Sequence, residues 1–364
     1  MLDGLKIVEI EGLGPAPFAG MWLADMGAQV TVVHRAGGAG AGAARPRDPS
    51  LLDRGKRSIV LDLKAPDDLR IAQALVDRSD ALIEGFRPGV MERLGLGPDL
   101  CLARNPKLVY ARMTGWGQSG PRACEAGHDL NYVATSGALH YASLPGDAPV
   151  TPATLLGDIG GGAMYLLAGL MAGLLRAQRS GQGCVVDAAI VDGSAHMMAL
   201  LMSIGQAGGL SQTRGHSLLD GPHWSRTYLC ACGGYMSVQA LEPQFYAEFL
   251  ARLGLDDDPV FAAQHDRVLW GPAAARLTAL FAGRDRAHWG EVFAGSDACA
   301  APVLSPWDAA RDPHMTARKV WQDVHGALQP APAPRFDAAV RAIAAPCARD
   351  ASRADILAEI EAEL

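Results

Sequence analysis

Three side chains stand where they could move a proton. His128 lies in Gly127-His128-Asp129, between a strand expected to end near Arg112 and the next helix. Imidazole is the one side chain whose ordinary titration falls near neutral pH; by itself, His128 reads as a surface or capping histidine. Asp158 sits in Gly157-Asp158-Ile159-Gly160-Gly161-Gly162, where an apolar helix is expected to begin. It suits a helix N-cap as well as it suits a working carboxylate, because a helix start offers unpaired N–H groups and a positive dipole end that could hold an oxyanion. The glycines would let a ligand approach the backbone. Glu242, in Leu241-Glu242-Pro243-Gln244-Phe245, ends a strand and precedes a helix, and alone it reads as a first-turn carboxylate favoured by the helix dipole.

The basic residues Arg35, Arg54, Lys56, Arg57, Lys64, Arg87 and Arg93 fall at or just after expected strand ends. They could converge on phosphates or form a solvated rim. There is no Gly-x-Ser-x-Gly elbow, P-loop or His-Glu-x-x-His, so triad hydrolysis and metal chemistry have no motif behind them. Cys230-x-Cys232 is not a zinc spacing, and the seven cysteines are scattered, which fits a reducing, cytoplasmic setting. A net charge of −7 gives a nucleic-acid role no electrostatic support.

The elements that must position these residues follow from the apolar pattern of a 364-residue chain that is 49% hydrophobic. Short apolar strands over 5–10, 30–33, 59–63, 81–85 and 108–112 alternate with helices over 17–27, 66–78, 90–94 and 98–104. That alternation predicts a parallel sheet covered on both faces, a Rossmann-like doubly wound α/β domain. The first turn, Gly12-Leu-Gly14-Pro-Ala-Pro17, lacks the third glycine of a dinucleotide fingerprint, which argues against NAD. A long apolar helix over 159–175 reads as a core helix rather than a membrane span, followed by a strand over 184–190 and a Met-rich helix over 191–207. The run Met197, Met198, Met202 reads as core. A large domain over 1–207, a linker over 208–224, a smaller α+β domain over 225–304 and a return segment over 305–364 complete the expected layout. Gly233-Gly234 between two strands predicts a two-residue hairpin turn. Helices are expected over 243–254, 272–283, 286–294 and 352–364.

Taken together, these segments resemble the α-methylacyl-CoA racemases within the family III CoA-transferase superfamily. The resemblance runs from GLKIVEIEGLGPAPFAGMWLADMGAQVTVVHR (4–35) through RSIVLDLK (57–64) and LIEGFRPGVMERLGLGP (82–98). It is densest in LVYARMTGWGQSGP (108–121), AGHDLNY (126–132) and GDIGGG (157–162), and continues in LEPQFY (241–246) and SDACAAPVL (296–304). Residue 11 is a glutamate where that family is expected to carry a small residue. The resemblance implies an interlocked homodimer acting on acyl-CoA thioesters, with no separate cofactor because CoA is part of the substrate. It implies that His128 and Asp158 are the proton-transfer residues, and that Glu242 reaches the histidine from the second subunit. It also implies that Arg35, Lys64, Arg87, Arg93 and Tyr132 line the CoA pocket.

The chemistry implied is inversion at the carbon next to the thioester carbonyl. Removing that weakly acidic proton needs a base and an enolate oxygen held by donors, and inversion needs one group on each face. The start of the 159–175 helix is the expected enolate donor. Competing readings are a CoA-transferase that uses Asp158 as nucleophile through an acyl anhydride, and a non-catalytic acyl-CoA-binding protein.

Overall fold

Strands of branched apolar residues alternate with helices that open on proline. The computed structural model describes residues 1–37 and 49–362. In chain order the first unit runs β1 (Lys6–Ile10), α1 (Pro15–Asp25), β2 (Gln29–Arg35), β3 (Arg57–Leu61), α2 (Pro66–Asp77), β4 (Ala81–Glu84), α3 (Val90–Arg93), α4 (Pro98–Arg104), β5 (Val109–Thr114) and α5 (Asp129–Ser136). A π-helical segment (Leu155–Ala163), α6 (Met164–Ser180), β6 (Cys184–Ala189) and α7 (Ile190–Met197) follow. Proline opens α1, α2 and α4, where its missing N–H would have had no partner.

The six strands form one parallel sheet in the order β3-β2-β1-β4-β5-β6, the doubly wound arrangement expected. Both faces are covered, which is why the strands are apolar on both sides. One face packs Ile7, Val30, Ile83 and Ala111 under α1 and α6. The other packs Val8, Val33, Ile59 and Leu82 with α2 and the C-terminal helix Arg353–Ala362.

Two compact units separate: Met1–Gly137, Pro152–Met197 and Pro313–Leu364 form the first, and Ala138–Thr151 with Met198–Asp312 the second. The expected linear division, with a linker at 208–224, is therefore replaced by a discontinuous one. The second unit takes in 138–151 and begins at Met198, inside the expected Met-rich helix, which breaks there into α7 and α8 (Ala199–Gln206). Met202 is 58% exposed, so that run is not a core stripe.

In the second unit an antiparallel sheet of β7 (Ser225–Leu229), β8 (Tyr235–Gln239) and β9 (Ala300–Pro302) packs with α9 (Pro243–Leu253), α10 (Arg267–Phe281) and α11 (Arg286–Phe293). Its core is aromatic; Tyr228 stacks on Phe281 with ring centroids 5.0 Å apart. The β7–β8 connection is longer than the two-residue turn expected. Leu229 pairs with Tyr235, and Cys230 to Gly234 close the turn with Gly233 in the left-handed region.

The return segment is tied into the first unit by a buried arginine. The Arg54 guanidinium grips Asp25 through Nε (3.0 Å) and donates from NH1 to Gln329 Oε1 and the Pro330 carbonyl, each at 3.0 Å. Removing one partner of such a pair leaves the other charge buried and alone. Arg54→Met is expected to lower unfolding stability by about 3–5 kcal/mol in denaturant titration, and a loss below about 1 kcal/mol would contradict this.

Candidate active site

His128 is the N-cap residue of α5, and its backbone N–H donates to Asn131 Oδ1 at 3.0 Å. Its side chain is solvent-exposed, whereas the next residue, Asp129, is buried at 8% exposure. Both oxygens of Asp129 accept backbone N–H groups from the π-helical segment: Oδ1 from Asp158 at 2.7 Å and Oδ2 from Thr154 at 3.2 Å. The residue beside His128 thus holds the backbone of Asp158.

The helix does not start at residue 159 with Asp158 as its cap. It starts at Leu155 behind Thr154, with Asp158 inside the widened first turns. Asp129 explains the early start, because its carboxylate supplies acceptors that the helix start lacks. Close approach explains the wide turn: a Cβ on Gly157 would lie 2.3 Å from Asp129 Oδ1, and one on Gly193 of α7 would lie 1.9 Å from the Gly161 carbonyl oxygen. Only backbone fits between these elements. The N–H of Asp158 is taken by Asp129, and that of Ile159 donates to the Thr154 carbonyl at 3.1 Å, so the N–H at the expected helix start is already engaged and not available as the enolate donor.

The Asp158 carboxyl is half-buried and lies beside Gly14, the cap of α1. Burial, followed by the charge of Asp129, pushes it up to about 6, with His128 pulling the other way. Tyr132 backs this site. Its hydroxyl donates to the Gly127 carbonyl, and its ring meets Trp116 edge-on at 4.8 Å. Burial and then the charge of Asp158 raise its phenol.

The other predicted residues divide. Arg35 and Lys64 line one cavity of about 230 Å³ at the carboxyl ends of β1 to β4, walled by Ile10, Val33, Leu61, Phe86, Val90 and Leu94. Arg87 is not in that wall; its NH1 reaches the Cys124 carbonyl at 3.5 Å and its charge acts on Tyr132. Arg93 closes α3, exposed over Gly89. The β4 loop is held by Glu84, which accepts the Phe86 N–H (2.7 Å) and Arg112 Nε (2.9 Å). Glu242 is the exposed N-cap residue of α9, in the second unit. Among the described residues no cluster could hold a metal ion.

The π-helical segment and α6 together, Leu155–Ser180, are long and apolar enough to cross a membrane by composition alone. Here Leu166, Leu170 and Leu174 are buried, and Gly169 and Gly173 abut Val186 and Val109 of the sheet.

Residues 2–351 match the profile of CoA-transferase family III. The chain belongs to that family. Two relatives of this family III chain are named α-methylacyl-CoA racemase. That of Mus musculus is 40% identical over 92% of this chain and 86% of its own. That of Homo sapiens is 40% identical over 87% and 81%. The acetyl-CoA:oxalate CoA-transferase of Acetobacter aceti is 29% identical over 90% and 87%. A solved CAIB/BAIF family protein from Brucella suis superposes with a TM-score of 0.83 over 99% of both chains at 26% identity.

In this family III chain the residue that sequence reasoning missed is Asp129. Its signal was present, an acid in the first turn of a helix directly after the candidate histidine, but it reads as a dipole partner for its own helix. Nothing local says that it caps a different one. Glu11 is placed by the structure as well. Burial would raise its carboxyl, but hydrogen bonds from His34, Arg349 and the Arg35 N–H hold it at about 2.

Asp158 makes stability depend on pH. Its folded value is raised above the ordinary 3.8, so the native state holds the proton more tightly than the unfolded chain. Stability then falls as pH rises from about 4 to about 6 and levels off above that. Asp158→Asn removes this loss. The variant is expected to match the parent at pH 4 and exceed it at pH 7 by on the order of 1 kcal/mol, after discounting for solvent screening of a half-buried group. Urea titrations at both values check this; a variant less stable at pH 7 than the parent would contradict it.

Proposed function

We propose that this protein is a racemase that interconverts (2R)- and (2S)-2-methylacyl-CoA thioesters by moving the α-proton through an enolate. The single observation that carries the reading is a half-buried Asp158 whose carboxyl is raised to about 6, with the charge of His128 acting on it. A group with that value can both give and take a proton at neutral pH. Two relatives at 40% identity named α-methylacyl-CoA racemase support the same reading.

In this proposal His128 removes the proton from one epimer and Asp158 returns one on the opposite face; the roles exchange for the other epimer. The enolate oxygen takes a hydrogen bond from the first N–H groups of α5, those of Asp129 and Leu130, since the Asp158 amide is already engaged. The cavity bearing Arg35 and Lys64 takes the nucleotide end of CoA, with the cations at its phosphates. Arg87 and Tyr132 serve the path between that cavity and the acid–base pair, and Arg93 the rim. No further cofactor takes part. The working form is a homodimer in which Glu242 of one subunit orients His128 of the other and favours its charged form. The setting is cytoplasmic, where its seven free thiols persist.

One epimer of a 2-methylacyl-CoA incubated in D₂O should gain deuterium at C2 and racemise with no second carboxylate present. Transfer of CoA to an added carboxylate with no α-exchange would instead indicate an anhydride at Asp158. His128→Ala and Asp158→Asn should each lower exchange by about 10²–10⁴-fold, and undiminished exchange in both would remove the assignment. Arg35→Ala and Lys64→Ala should each raise KM by about tenfold or more with kcat held. Mixing His128→Ala with Glu242→Gln under subunit exchange should restore activity, because one site then has both residues intact. No recovery would place Glu242 outside the site or within the same subunit's site.

A further inference from the structure

We infer that Asp129, not itself a proton-transfer group, is the positioning residue of this site: it pins the turn that carries Asp158 and sets a fixed carboxylate beside it. This rests on the proton transfer proposed above and adds to it a residue with a separate task.

The geometry gives Asp129 two functions at once. Both its oxygens accept backbone N–H groups at the start of the π-helical segment, at 2.7 Å from Asp158 and 3.2 Å from its cap residue Thr154. It is 92% buried by the complement of its 8% exposure, and Gly157 leaves no room for a side chain between it and the turn. The carboxylate is therefore fixed, and its charge is poorly screened. A carboxylate so placed, together with burial, raises the Asp158 carboxyl.

Other charges do not account for the effect. The elements packed against the π-helical segment are α1, α5, α6, α7, β5 and β6, and the charged groups of α6, Arg176 and Arg179, lie in its last two turns. The charged groups of the others are Asp25 on α1, His128 and Asp129 at the start of α5, Asp192 and His196 on α7, Arg112 on β5 and Asp187 on β6. Of these, Asp129 and His128 act on the Asp158 carboxyl, in opposite directions. Asp25 is held by Arg54 and Arg112 by Glu84. Without Asp129 the burial that chiefly raises the Asp158 carboxyl remains, opposed by the charge of His128, so the carboxyl falls part of the way back and returns a proton to the enolate less readily.

The test is a carboxyl-carbon NMR titration of the full-length protein with labelled aspartate, the Asp158 signal being assigned by its loss in Asp158→Asn. In Asp129→Asn, which keeps one acceptor but no charge, the Asp158 midpoint should fall. Alongside it, racemisation in the direction that needs Asp158 as acid should drop at pH 8 by about tenfold for each pH unit of that fall. Asp129→Glu, which keeps the charge but moves the oxygens, should leave the midpoint raised and lower kcat with KM held. It also serves if the asparagine variant does not fold. An unchanged midpoint in Asp129→Asn, or a midpoint that drops in Asp129→Glu as well, overturns the inference. If the parent protein exchanges no α-proton, the racemase reading fails, while the titration still decides whether Asp129 governs Asp158.

Discussion

One buried carboxylate that accepts two backbone N–H groups decides where the Asp158 carboxyl stands. Burying a charge without partners is costly, and a helix start with no acceptors leaves donors unpaired. Asp129 and the first turns of the π-helical segment solve each other's problem. The wide turn, the glycine contact with α7 and the exposed imidazole beside the buried acid all depend on that exchange. A structure assembled otherwise could keep His128 and Asp158 in the chain and still fail to hold them near one another.

The sheet supplies the rest of the site. With strand order β3-β2-β1-β4-β5-β6, the chain reverses direction of winding between β1 and β4, and a crevice opens at the carboxyl ends of strands at such a reversal. The cavity with Arg35 and Lys64 lies at those ends. His128 follows the loop after β5 on the same sheet. The cavity with Arg35 and Lys64 and the loop that carries His128 therefore come from one edge of one unit, which is why changes in loop residues can alter chemistry while the sheet stays the same.

Much of this was legible in the sequence, and for identifiable reasons. The strands are apolar on both faces because both are covered, and so they read cleanly; β1, β2 and β4 lie within one or two residues of their expected spans. The placement of Arg35 and Lys64 at the carboxyl edge of the sheet was legible because each closes or follows a strand. The start of the helix at Leu155 was not, because its partner Asp129 lies 25 residues or more away in the chain. A π-helical turn has no period of its own in composition, and glycines that admit a neighbouring backbone look the same as glycines that admit a ligand. The division into units was misread for a similar reason: contacts, not composition, assign 138–151 to the second unit.

The buried Arg54 has a consequence for how the chain is made. Its acceptors come from Asp25 near the beginning and from Gln329 and Pro330 near the end. During synthesis the sheet can form while the ribosome is still translating the second unit. Until the return segment emerges, however, this guanidinium lacks two of its acceptors and that side of α1 stays wet. Residues 198–312 of the second unit are contiguous and complete their own aromatic core earlier. The nascent chain thus completes the aromatic core of 198–312 before the segment that closes the first unit has been made.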